Sequence, residues 1–165
     1  MSRKALRNKK VVEDKAHVHG MFRLNILENG KVVGDSGWQK NQITDYGAQY
    51  YLVENLVAGA GSKRVTHMAI GSGTAPAVAA TTLPAEIGGS TNRITVSTSV
   101  VASRTMQATA SFGSAQFGSL CPLTISSLGL YGNASSGTIF AGNTFNSSQW
   151  NSNQDVSATY QVKFP

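Results

Sequence analysis

The stretch that decides the fold is VSATYQVKF, residues 156–164. Val156, Ala158, Tyr160, Val162 and Phe164 alternate with Ser157, Thr159, Gln161 and Lys163. Successive side chains of a strand point to opposite faces, so this period of two describes a strand with one face in a core and one in solvent. The same alternation recurs upstream. Met106, Ala108, Ala110 and Phe112 are interleaved with Gln107, Thr109 and Ser111, and Ile94, Val96, Thr98 and Val100 with Thr95, Ser97 and Ser99. Phe22, Leu24 and Ile26 alternate with Arg23 and Asn25, and this run leads into Asn29-Gly30. That dipeptide tolerates positive φ at both positions and predicts a tight hairpin, with residues 31–33 returning as its second strand. Shorter strands are expected at 65–70, around Leu128 and Leu130, and at 138–141, giving about eight in all.

Only one segment reads as a helix. In ITDYGAQYYLVENLVAGAG, Thr44 or Asp45 can cap the start. Tyr46, Tyr50, Val53 and Val57 then form an apolar stripe, and Gly59 and Gly61 supply the stop. The helix is expected near 45–57. The predicted architecture is mainly β: an antiparallel β-sandwich, jelly-roll-like, with one α-helix. It forms a single domain over 16–165, preceded by an extended basic N-terminal arm over 1–15.

The 165 residues suffice for one core, and the apolar fraction of 41% argues against disorder throughout. Charged residues make up only 13%, well below the quarter or so of an ordinary soluble domain. A chain this poor in charge hides surface against neighbours or presents a Ser/Thr/Asn exterior. The net charge of +6 arises largely from the N-terminus, where Arg3, Lys4, Arg7, Lys9, Lys10 and Lys15 stand against Glu13 and Asp14. Such arms bind acidic protein surfaces or nucleic acid. The basic start is not followed by an apolar run, so it does not read as a secretory signal. No apolar stretch has membrane-spanning length.

Little in the chain points to catalysis. Residues 68–76, MAIGSGTAP, open like a phosphate loop. No Lys-Ser/Thr follows Gly73, however, and Pro76 and Pro84 preclude a continuous helix behind it. Between Arg64 and Arg93 there is no cation to neutralise a phosphate. Gly71 and Gly73 are therefore read as letting the chain turn off a strand into a surface loop. Beyond Asn55 the only carboxylates are Glu86 and Asp155, a poor supply for glycoside hydrolysis, which generally needs two. Cys121 reads as a buried, inert thiol. His17 and His19 share one strand face and could offer two metal ligands or a pH-sensitive contact, but no third ligand is fixed. No catalytic residue, cofactor site or metal site is assigned. Trp38 and Trp150 can each serve the core or an interface, and Trp38 is taken as a partner-binding candidate with Arg3, Lys4, Arg7, Lys9 and Lys10.

The order of the motifs resembles a group of tailed-bacteriophage virion structural proteins. Lys40, Asn41, Ile43, Thr44 and Gly47 match a KN-x-I-T-x-x-G entry to a helix. Residues 71–76, GSGTAP, match a strand end. Thr82, Leu83 and Glu86 match a T-x-L-x-x-E step, and Gly129, Leu130 and Tyr131 a late GLY strand. The resemblance spans roughly 38–164; an Asp expected before the Thr-x-Leu step is replaced by Ala80-Thr81. It implies a non-enzymatic virion component assembled in the host cytoplasm. Foremost is a capsid cement or decoration protein, bound to the major capsid protein as a homo-oligomer such as a trimer. The alternative is a tail, baseplate or fibre-attachment adaptor. Nucleic-acid binding would rest on the arm alone, because the rest of the chain has no basic stripe.

Overall fold

A computed structural model describes residues 18–48, 51, 64–102 and 105–164. Ten strands lie in one antiparallel sheet: β1 (His19–Glu28), β2 (Lys31–Asp35), β3 (Gln39–Ile43), β4 (His67–Gly71), β5 (Ile94–Thr95), β6 (Ser97–Ala102), β7 (Thr105–Phe112), β8 (Leu123–Tyr131), β9 (Ile139–Trp150) and β10 (Gln154–Lys163). A single-turn helix, α1 (Ser114–Phe117), follows β7. The order across the sheet is β5-β4-β8-β9-β3-β1-β10-β7-β6, with β2 paired to β1 beside β3.

The two ends of that order are consecutive in sequence, and this almost closes the sheet into a barrel. Ile94 and Thr95 pair with Met68 and His67, and the Val96 amide donates to the Thr66 carbonyl at 2.9 Å. From Ser97 onward the same segment pairs instead with β7. One stretch of chain therefore serves both edges of the sheet, which leaves little unpaired edge to protect.

The interior follows from the alternation. Phe22, Leu24, Ile26, Ala108, Phe112, Val156, Ala158, Tyr160 and Val162 point inward from one half of the sheet. Met68, Ile70, Ile125, Leu128, Leu130 and Ala141 point inward from the other. Phe22 stacks on Tyr160 at 5.8 Å between ring centroids and meets the edge of Phe145 at 6.0 Å. Each large side chain so buried contributes about 1.5–3 kcal/mol. Trp150 belongs to this core: it is fully buried and donates from Nε1 to the Gln154 carbonyl at 2.7 Å.

The hairpin forms where Asn29-Gly30 requires it, with φ of 50° and 75° at the two positions. Other details depart from the sequence reading. Among the described residues the strands number ten rather than eight, because the polar β3 was missed and the run from 94 divides between two partners. In that run Val100 is 81% exposed instead of facing a core. Residues 45–48 are helical, as expected at the start of the helix. The stripe is placed differently, however: Tyr46 is 36% exposed, while Tyr51 packs on Phe140 at 5.1 Å between centroids. Tyr50, Val53 and Val57 lie outside the described residues, as does the basic arm.

Gly71 does end β4, but neither Gly71 nor Gly73 takes positive φ. What these positions require is space. A Cβ on Gly71 would come within 2.6 Å of the Ser127 hydroxyl, and one on Gly73 would collide with the Pro84 carbonyl.

Candidate interaction face

The two halves of the barrel differ on their outer surfaces. On β4, β8 and β9 the outward residues include Ala69, Tyr131 and Ile139, which are apolar and buried beneath Leu83 of the loop that follows β4. That loop is stitched down along its length. The Asp45 amide donates to the Val78 carbonyl at 2.8 Å and the Ile139 amide to the Thr81 carbonyl at 2.9 Å. The Leu83 amide donates to the Tyr131 hydroxyl at 2.7 Å. This face is spent on the protein's own second layer.

A buried ion pair anchors the same loop. Arg93 Nε donates to Glu86 Oε1 at 2.8 Å and Nη2 to Oε2 at 3.1 Å. The guanidinium also donates to the Ser136 carbonyl at 3.1 Å and lies 3.5 Å from the centre of the Tyr131 ring. Tyr131 in turn donates its hydroxyl to Glu86 Oε2 at 3.1 Å. Burial, reinforced by the Glu86 charge, pushes the Tyr131 phenol far above its ordinary value. With the two side chains only 3% and 9% exposed, each charge must be satisfied inside the protein, and here each is. Sequence reading missed this cluster. Its signal was the lone acidic residue of residues 55–154 standing seven positions before an Arg.

The outer face of β1, β10, β7 and β6 has no such cover among the described residues. The register sets its side chains in rows: Asn25, Ser157, Ser111; then Arg23, Thr159, Thr109, Ser97; then Met21, Gln161, Gln107, Ser99. The Arg23 charge is cancelled by Asp35 in a two-point pair, Nε to Oδ1 at 3.0 Å. Hydrogen bonding to Arg23, with help from the Gly37 amide, holds the Asp35 carboxyl at about 2, below its usual 3.8. Gln161 donates to Gln107 across the strands at 2.9 Å. The face is thus a sheet of hydroxyls and amides with no net charge in its rows. A shallow hollow of about 300 Å³ lies on it, lined by Thr95, Ser97, Thr109, Ser111 and Ser157. Trp38, 42% exposed, and Met21, 40% exposed, stand at its β3 border.

The remaining sequence candidates separate cleanly. Trp38 is on the surface; Arg3, Lys4, Arg7, Lys9 and Lys10 lie outside the described residues, as does His17. His19 is exposed at the start of β1, opposite Lys163. No group of three or more metal-ligating side chains occurs among the described residues. Asp155 accepts from the Ser114 amide at 2.7 Å at the start of α1, so it, like Glu86, is occupied by structure. Cys121 is half-buried rather than buried, and desolvation raises its thiol pKa, which lowers its reactivity. No helix among the described residues is long and apolar enough to cross a membrane. No known family model, curated protein or solved structure matches this chain.

Proposed function

We propose that this chain is a non-enzymatic structural component of a tailed-bacteriophage virion, and within that class a capsid cement or decoration protein. The observation that carries the reading is the outer face of β1, β10, β7 and β6, broad and without net charge. Burying such a face against another protein removes few ions from water, so its desolvation cost is small. Hydroxyls and amides that both donate and accept can be re-paired across the contact. The motif resemblance supplies the virion context. In this reading the face packs on the major capsid protein or on another copy in a homo-oligomer such as a trimer. The arm residues Arg3, Lys4, Arg7, Lys9 and Lys10 pair with acidic capsid side chains, and Trp38 anchors the border. Many identical contacts then stabilise the lattice by mass action and avidity. We also read the barrel as flattened into the two facing layers of a sandwich. In support, β3 joins its halves by only three paired positions to β1 and two to β9.

The test is a truncation lacking residues 1–15, offered to expanded capsids beside the full chain. The truncated protein is expected to fold and to lose capsid binding. Undiminished binding overturns the role of the arm, and gold-labelled protein found on tails instead of heads overturns the cement assignment in favour of a tail adaptor.

A further inference from the structure

Where β5 hands over to β6 the barrel seam is not fully zipped, and a groove of about 200 Å³ opens there, lined by Arg64, Thr66, Thr95 and Thr98 with Val65 and Val96 as its apolar walls. His67 organises the polar side. Its Nδ1 lies 2.8 Å from the Thr66 hydroxyl and its Nε2 3.4 Å from the Thr95 hydroxyl. A neutral imidazole has one donating and one accepting nitrogen. Whichever tautomer is present, one of these two hydroxyls accepts from the ring and so keeps its own hydrogen for another acceptor. With a neutral ring the groove therefore always holds at least one hydroxyl hydrogen left for a ligand, in a lining that also includes Arg64 and Thr98. No carboxylate lines it. Glu86 is already paired with Arg93.

We propose that this seam groove binds a small oxyanion, held by the Arg64 guanidinium and by the hydroxyls of Thr95, Thr66 and Thr98. A single planar guanidinium with flanking hydroxyl donors suits either a free tetrahedral anion or a carboxylate projected from a partner's side chain. The inference does not depend on the virion reading.

His67 serves as the reporter. Burial, with a contribution from the Arg93 charge, lowers its pKa from the ordinary value of 6.5. An anion seated beside it favours the imidazolium and moves the titration back upward. The experiment is an NMR titration of the His67 imidazole in the full chain, with inorganic phosphate in one arm and acetate in the other, each against chloride at matched ionic strength. A saturable shift with phosphate or acetate, and a raised His67 midpoint, are expected; the tighter of the two identifies the tetrahedral or the carboxylate source. Arg64→Gln is expected to weaken binding about tenfold or more, as loss of a charge-assisted pair does, and Thr98→Val to weaken it less. Both positions are exposed, so the amide spectrum should otherwise be preserved. Shifts no larger than those of chloride, or an affinity unchanged in Arg64→Gln, overturn the proposal.

Discussion

Two buried polar groups show opposite sides of the same rule. The Tyr160 hydroxyl is buried without a hydrogen-bond partner, and burial pushes its pKa well above the ordinary value. Removing an unpaired hydroxyl sheds a desolvation penalty while leaving the ring stacked on Phe22. Tyr160→Phe is therefore expected to gain about 1 kcal/mol in a urea unfolding measurement. Glu86 is the reverse case, because its charge is matched by Arg93 and by Tyr131. Glu86→Gln strands a buried guanidinium and is expected to cost about 3 kcal/mol, a large part of a domain's whole stability. His67 carries a third prediction. Its folded pKa is depressed, so the unfolded chain takes up a proton below 6.5 that the folded ring resists. Its contribution to stability is complete above 6.5 and declines as pH falls through the window toward the folded value. The urea midpoint is expected to drop between about pH 7.5 and about pH 5.5, and His67→Gln to flatten that slope.

At the scale of elements, what was legible in the sequence was what period and turn chemistry encode locally. The inward residues of β1, β7 and β10 could be named from alternation alone, and Asn29-Gly30 located its own hairpin. Gly30 has φ of +75° with nothing near a hypothetical Cβ, so Gly30→Ala tests conformation alone and is expected to cost about 1 kcal/mol. Gly47, by contrast, sits against the Phe140 carbonyl, and Gly47→Ala is expected to cost more than Gly30→Ala in the same urea series, because backbone must move. Proximity of this kind has no local signature: that the chain leaves β4 at Gly71 and Gly73 could be read from sequence, but not that both positions must also make room for Ser127 and Pro84. β3, QKNQI, escaped notice for a related reason. A polar strand gains its place from ladder bonds to β1 and β9, and sequence pattern registers side chains rather than ladders. The surface status of Trp38 and the core status of Trp150 were likewise undecided until the burial of each was known.

For the whole molecule, the decisive feature is an asymmetry that no single segment contains. Both halves of the sheet are antiparallel and buried on the inside, yet one outer surface carries Ala69, Tyr131 and Ile139 under the protein's own loop while the other is left as rows chiefly of Ser, Thr, Asn and Gln, with Arg23 neutralised by Asp35. Charge composition hinted at such a surface, but its contiguity emerges only when strands distant in sequence, at 19–28, 97–102, 105–112 and 154–163, are laid side by side. If that surface is where the chain adheres, ions placed at its centre must be desolvated when the contact forms, at a cost of several kcal/mol without a partner. Thr109 and Thr159 are directly opposed across β7 and β10, and both side chains point away from the core. Thr109→Arg with Thr159→Arg puts two like charges there beside Arg23 and is expected to cost the isolated chain about 1 kcal/mol, leaving it folded. The same pair should reduce co-sedimentation with capsids, or self-association of the chain, by at least about tenfold. A control pair of Arg substitutions at Ser119 and Ser135, exposed and away from the face, should leave both unchanged. Equal binding by the two double variants would show that adhesion resides elsewhere on the molecule.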